Sequence, residues 1–277
     1  MARVVEVNET AAGAAIRRAD PPIVVAVGMR NQASAVGAAL ASIWAQRGVV
    51  GRLLVLLFDD ESSDSWRPRV RDTAEPDRLL VVRGRAGSAA AARNLLLDLA
   101  RRHAPRLELI VRLDADDRLY DDSALARVEA KFKRVTVSRG HRASALLASN
   151  LQSRDHVVLP WPNLATSDLL DKSRLLERIA GMASGEPHAE LPSCNLVLRP
   201  DVPARYPACR SAEDHWLTAA LLLGSHRRAV MVDDDLMLTV YSLSGAASSG
   251  NHRKRAYLPA RRALLAWART RHAEIRR

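Results

Sequence analysis

Cysteine is scarce, with only Cys194 and Cys209 in 277 residues. Two cysteines build no disulfide framework, and neither belongs to a CxxC pair that would signal a zinc or redox site. A reducing compartment suits such a chain. Aromatic residues are few, at 4%. No stretch approaches the roughly 18 uninterrupted apolar residues of a membrane span. The opening segment MARVVEVNETAAGAAIRRADPP has no apolar core of signal-peptide length. The expectation is a soluble, cytoplasmic protein, able at most to touch the inner face of a membrane. Acids nearly vanish from the C-terminal segment: in residues 251–277, nine Lys or Arg face only Glu274, which accounts for +8 of the formal +11 charge. The remainder is nearly balanced. That argues against a nucleic-acid face spread over the domain and places any affinity for anionic partners at the C-terminus.

The chain is rich in apolar residues, at 48%, enough for the core of one large domain or two small ones. The segment PPIVVAVGM reads as a buried strand after a Pro-Pro boundary, and SAVGAALASIWAQRG repeats apolar residues at helical spacing until Gly48. The apolar run RLLVLLF stops at DDESSD, a cluster of turn and capping residues. The pattern recurs with a strand at 78–82, the helix AAAARNLLLDLARRH and a strand at 107–113. Strands alternating with helices predict an α/β protein, and near-continuous apolar strands predict a mainly parallel sheet covered on both faces.

In such sheets ligands bind beyond the carboxyl ends of the strands. Polar residues cluster at those ends: Arg30 and Asn31 after the first, Asp59 to Asp64 after the second, Arg83 to Ser88 after the third, and Asp114, Asp116 and Asp117 after the fourth. The segment VRLDADDRLYDD adds Asp121 and Asp122. Carboxylates this close repel one another unless a positive charge sits between them, and a divalent metal is the obvious candidate. Capping acids for a helix near 122–135 are the alternative, and Asp121 and Asp122 are assigned to it.

The ordered segments VVAVGMRNQASAVGAALASIWAQ, LLVLLFDDESSD, GRAGSAAAARNLLLDLA, LIVRLDADD, SCNLVLRP and SAEDHWLTAALLLG resemble the family 2 glycosyltransferases, which have the GT-A fold. The resemblance covers residues 23 to about 241. It implies a Rossmann-like, mixed but mainly parallel sheet flanked by helices. It divides the chain into an N-terminal extension (1–20), a nucleotide-sugar-binding half (21–120), an acceptor-binding half of the same domain (121–241), and a loop with a basic C-terminal helix (242–277).

What the resemblance implies about the site follows residue by residue. Asp114 and Asp116 match the DxD motif that holds Mg²⁺ or Mn²⁺ against the diphosphate of a nucleotide sugar, and oxygen ligands suit those hard cations. Asp60 matches the aspartate that bonds the nucleobase, whose imino N–H is offered by uracil, thymine and guanine alike. Glu61 stands where relatives usually carry Gly or Asn. Arg30 and Asn31 occupy the first loop, with the usual proline and aromatic residue missing. Arg30 is read either as a base- or phosphate-contacting group or as a solvated arginine. Gly87, Arg93 and Asn94 match a glycine followed by Ala-Arg-Asn, with Arg93 set either to reach the diphosphate or to pack the loop. Glu213 and Asp214 match an acidic pair whose aspartate is the general base, although Ser211 with these acids is also sound helix-capping chemistry. Asn195 and Arg199 match a segment lining the acceptor pocket, while Trp216 reads more readily as core. His252, in the Gly/Ser-rich loop, is a candidate third metal ligand.

The function implied is metal-dependent, inverting transfer from a UDP-, GDP- or dTDP-type sugar to a hydroxyl acceptor: a glycan precursor, a lipid-linked sugar or a secondary metabolite. Two alternatives stand beside it. A nucleotidyltransferase would want a Gly-rich loop with lysine in the first βα turn, and GMRNQAS lacks one. A nucleotide-sugar-binding protein without turnover would have less need of Asp114, Asp116 and Asp214 together. Three partners suit the C-terminal helix, with Tyr257, Leu264 and Trp267 on one side: its own domain, a twin subunit, or an anionic membrane.

Overall fold

The structure is a computed structural model, and it describes residues 3–8, 23–49, 52–73, 78–104, 106–139, 142–160, 164–186, 189–192, 195–209, 211–224, 229–244 and 257–275. Ten strands among these residues form one sheet. Residues 3–8, within the segment read as an extension, form the edge strand β1 (Arg3–Asn8). The predicted apolar runs become β2 (Ile23–Met29), β3 (Leu53–Asp60), β4 (Leu79–Arg85) and β5 (Leu109–Asp114). They are followed by β6 (Arg118–Leu119), β7 (Ala143–Arg154), β8 (Val157–Val158), β9 (Leu196–Leu198) and β10 (Ala229–Ser242). The order across the sheet is β1-β4-β3-β2-β5-β9-β7-β10-β6, with β8 paired to β7. Strands β4, β3, β2 and β5 run parallel, whereas β1 is antiparallel to β4 and β9 is antiparallel to both β5 and β7. The sheet is therefore mixed and mainly parallel, as expected.

The central strands are continuous apolar runs because both faces are covered. Val24, Ala26, Leu54, Leu56 and Phe58 pack on one face; Ile23, Val25, Val27, Leu53, Val55 and Leu57 pack on the other. Each buried aliphatic side chain contributes roughly 1.5–3 kcal/mol against exposure. The second face is covered by α1 (Val36–Trp44), α2 (Arg67–Thr73) and α4 (Ala124–Arg139). The first is covered by α3 (Ala89–His103), α5 (Lys172–Ser184), α6 (Glu213–Gly224) and α7 (Tyr257–Ile275). Helix α3 starts where Ser88 accepts the Ala91 N–H at 3.2 Å, and its Leu96, Leu97 and Leu99 stripe faces the sheet.

Helix α7 seats its apolar stripe on its own domain, against α5 and α6. Leu264 and Ala268 are fully buried, and the Trp267 ring lies 5.2 Å from that of Trp216. Trp216 is thus a packing residue, as read from the sequence. No helix among the described residues is long and apolar enough to cross a membrane.

Candidate active site

Side chains two residues apart on a strand share a face. Arg112 and Asp114 do so at the end of β5, and Arg112 Nη2 donates to Asp114 Oδ2 at 2.5 Å. From α3, Arg93 Nη2 reaches the same oxygen at 3.2 Å, while its Nη1 bonds the carboxylate of Glu213 at the start of α6. One ionic chain therefore runs Arg112–Asp114–Arg93–Glu213. It joins three residues singled out in the sequence, with Asp214 next to them. Arg93 bridges two carboxylates far apart in the chain, and its guanidinium also lies 5.6 Å from the centre of the Tyr206 ring.

The electrostatics follow from burial and these pairs. Burial pushes Asp114 up, but Arg112 and Arg93 outweigh it and hold the carboxyl below the usual range. Burial likewise opposes Asp214, yet His215, Arg93 and Arg112 hold it low. Asp116 has no such ion-pair partner, accepting a long bond from Gln32 Nε2 at 3.5 Å and one from its own backbone N–H, and burial with the Asp114 charge pushes it up to about 6. Asp117 is buried, accepts the Ser242 N–H at 2.8 Å, and is raised well above the ordinary value by burial and by Asp114 and Asp116. Asp121 and Asp122 stand apart: Asp121 takes the Ser123 N–H and pairs with Arg127, and Asp122 pairs with Arg47 on the surface.

The donor set fits a hard divalent cation. Around the end of β5, the carboxylates of Asp114, Asp116, Asp117, Glu213 and Asp214 supply the oxygen ligands such an ion takes, and Arg93 and Arg112 already engage Asp114. Asp116, unpaired by any cation in the hydrogen bonds and ion pairs described, and Asp114 are the residues that would hold it. They do not form a closed cage. Among the described residues, the three acids whose oxygens lie within 4.8 Å of one another are Asp233, Asp234 and Asp235, at a register shift of β10 where Lys131 pairs with Asp233 at 2.5 Å. His252 lies outside the described residues.

The loops after β2, β3 and β4 are stitched together. Asp59, fully buried, accepts from Ser62 N–H and Trp66 Nε1 and pairs with Arg83 at 3.3 Å. Asp60 accepts the Ala86 N–H at 2.6 Å through Oδ1, which ties the loop after β4 to the end of β3. Asn31 is engaged by the loop itself: its N–H donates to Ser62 Oγ and its Oδ1 accepts from the Ser63 N–H. Asp64 Oδ2 accepts the Ala33 N–H at 2.7 Å. Arg30 is exposed at the same strand end.

Glu61 takes the left-handed φ of +52°, so the loop keeps a conformation suited to Gly or Asn despite the glutamate. That conformation costs a non-Gly residue about 1 kcal/mol, and the exposed Glu61–Arg85 pair at 3.6 Å offsets little of it. Glu61→Asn is expected to raise Tm by about 2 °C. Glu61→Val, β-branched at the same φ, is expected to lower it; an unchanged Tm in both would mean the loop relaxes freely.

Two sequence-based assignments are corrected. Asn195, matched to an acceptor pocket, is fully buried and donates through Nδ2 to Ala148 O at 2.5 Å and Asn150 Oδ1 at 3.0 Å. Arg199 donates to Ala143 O at 2.8 Å and stacks over Phe132. Both tie β9 to its neighbours inside the sheet. Asn94 is likewise structural, with its amide pairing both backbone groups of Tyr206 at 2.8 Å. Ser211 does not cap α6, since its buried hydroxyl has no hydrogen-bond partner, and Ala212 turns the chain with φ +62°.

Sequence reasoning assigned no place at the site to Arg112, Arg261 or Tyr257, the last read only as part of an apolar stripe. Arg112 left a signal, a lone charge inside an apolar strand. Tyr257 and Arg261 left none: the Tyr257 ring lies 6.4 Å from that of His215, and Arg261 stacks on Tyr257 at 3.9 Å while pairing with Glu190.

The mixed, mainly parallel sheet with helices on both faces is the GT-A fold. No family model matches the sequence, and no curated protein matches it. Among solved structures, the chain is similar to S. aureus TarS, residues 1–349, in complex with UDP-GlcNAc, at 18% identity and a TM-score of 0.62 over 91% of this chain and 72% of that one. The same protein in complex with UDP gives a TM-score of 0.60 at 18% identity over 91% and 71%. Against a longer TarS structure, the chain spans 43% of its length. A mannosyltransferase of Pyrobaculum calidifontis, PcManGT, in complex with GDP-Man and Mn²⁺, is 19% identical, with a TM-score of 0.52 over 92% and 74%.

Proposed function

We propose that this protein is a metal-dependent, inverting glycosyltransferase that moves a sugar from a nucleoside-diphosphate sugar to a hydroxyl acceptor. The observation that carries the reading is the ionic chain from Asp114 through Arg93 to Glu213. It sets a candidate metal-binding aspartate beside an acidic pair at the carboxyl ends of parallel strands, where such sheets bind ligands. The bound ligands of the structures with this fold agree: UDP-GlcNAc in one, GDP-Man with Mn²⁺ in another.

Mg²⁺ or Mn²⁺ held by Asp114 and Asp116 would supply positive charge against the departing diphosphate. Asp60 stands at the nucleobase end. Asp214 is the proton acceptor: the acceptor oxygen bonds to the anomeric carbon, the bond from that carbon to the diphosphate breaks, and the hydroxyl proton passes to the Asp214 carboxylate. Attack opposite the leaving group inverts the anomeric centre. Held low by His215 and two arginines, Asp214 is ionised at neutral pH, as a proton acceptor must be. It takes the proton once bond formation has acidified the hydroxyl. The apolar stripe of α7 is buried, so contact with an anionic membrane surface would run through exposed Arg262, Arg269 and Arg271.

The test is calorimetric titration of UDP, GDP and dTDP with Mn²⁺ and with chelator, repeated on Asp116→Ala. One nucleotide is expected to bind in a metal-dependent way, with binding lost in the variant. Because Asp116 keeps its proton up to about pH 6 in the empty site, metal-assisted binding should be full above that value. Below it, binding should weaken by about tenfold per pH unit as protons compete with the ion. Binding that ignores metal and Asp116, or no binding at all, overturns the proposal.

A further inference from the structure

The end of β5 carries a charge arrangement that a plain two-aspartate metal site does not need. Arg112 lies in a strand whose residues before Asp114 are otherwise buried and apolar, is itself 7% exposed, and bonds the same Asp114 oxygen that Arg93 bonds. Its position is dictated by the backbone, since it sits two residues before Asp114 on the same face. Asp114 therefore meets two guanidiniums from the protein side before any cation arrives. A divalent ion at Asp114 and Asp116 is repelled by both, through a buried medium that screens weakly. A diphosphate alongside would add the negative charge needed to hold it.

We infer that Arg112 is an internal counter-cation that makes divalent-metal binding conditional on the donor: the ion is held firmly only together with the diphosphate. This rests on the reading of Asp114 and Asp116 as metal ligands and adds a role for Arg112 that the DxD pattern does not contain. Metal and nucleotide then enter as a coupled pair, and each strengthens the other by the same factor. Arg112 acts through Asp114 and is a positioning residue.

The test uses the full chain and Mn²⁺ alone, with free ion followed by its EPR signal, then the same titration in the presence of UDP and of GDP. Wild type is expected to bind Mn²⁺ alone weakly. Arg112→Met, which suits the apolar strand, is expected to bind it at least tenfold more tightly. Arg112→Lys should keep the weak binding, and adding Asp114→Asn to Arg112→Met should erase the gain. The nucleotide that binds should strengthen Mn²⁺ binding at least tenfold more in wild type than in Arg112→Met. Mn²⁺ affinity in Arg112→Met no higher than in wild type overturns the inference. So does micromolar binding of Mn²⁺ alone by wild type, which needs no variant to fold. If neither nucleotide binds to any form while the order of Mn²⁺ affinities holds, Arg112 keeps its role as counter-cation and the donor reading fails instead.

Discussion

Arg93→Met is expected to destabilise the protein by roughly 3–5 kcal/mol, the range for breaking a buried ion pair from one side. The Arg93 side chain is 15% exposed, and its partners Asp114 and Glu213 are 25% and 12% exposed. Removing the guanidinium leaves Glu213 without its ion-pair partner and Asp114 with Arg112 alone, while Asp214 sits beside both carboxylates. The penalty is mainly that of desolvated, mutually repelling carboxylates rather than of a lost contact. It should therefore shrink as pH falls and the carboxylates take up protons. Arg93→Lys is expected to recover little, because one ammonium cannot reach two carboxylates from the position of a forked guanidinium. Urea denaturation at pH 7 and pH 5 provides the measurement. A loss below about 1 kcal/mol at pH 7 would mean that water screens the network and that its members act independently.

How far this network could be read in advance depends on what kind of signal each residue leaves. The strands β2 to β5 were visible because burial on both faces demands unbroken apolar runs. Helix α3 was visible over its full length because Ser88 marks its start and leucines repeat at helical spacing. The strand ends then brought Asp60 and Asp114 to one side without any knowledge of side-chain contacts, and the family resemblance singled out Arg93. What sequence could not supply was the direction in which a polar side chain turns. Asn195 and Arg199 look like pocket residues in a string of letters, yet they satisfy backbone carbonyls of Ala148 and Ala143 inside the sheet. Arg112 left the signal of a lone charge inside an apolar strand, but in a chain with 42 Lys and Arg that signal is weak. The contact of Tyr257 with His215 joins segments far apart in the chain, and no local pattern announces it. Asn31 was singled out for ligand contact, and its amide oxygen also holds its loop to Ser63, a contact no local pattern announces.

The acidic pair separates catalysis from architecture most sharply. Asp214→Asn is expected to lower the rate of nucleoside-diphosphate release in the presence of acceptor by about 10²–10⁴-fold, the usual worth of a positioned general base. Donor affinity should change little, while stability should fall, because the Asp214 charge is favoured by His215, Arg93 and Arg112. The substitution is nearly isosteric, and Asn can still accept the His215 N–H that Asp214 Oδ1 accepts at 2.9 Å, so the first turn of α6 keeps its shape. It loses the negative charge and with it the capacity to take a proton. Glu213→Gln should behave differently: its carboxylate is the partner of Arg93, so the loss should appear in donor affinity as well as in stability and turnover. Steady-state kinetics read the contrast, with Asp214→Asn lowering kcat at nearly constant donor KM and Glu213→Gln moving both. If Asp214→Asn turns over within about threefold of wild type, a range below what a general base contributes, Asp214 is not the proton acceptor. Glu213 would then be the residue to test in that role, since it is the neighbouring carboxylate that Arg93 ties to Asp114.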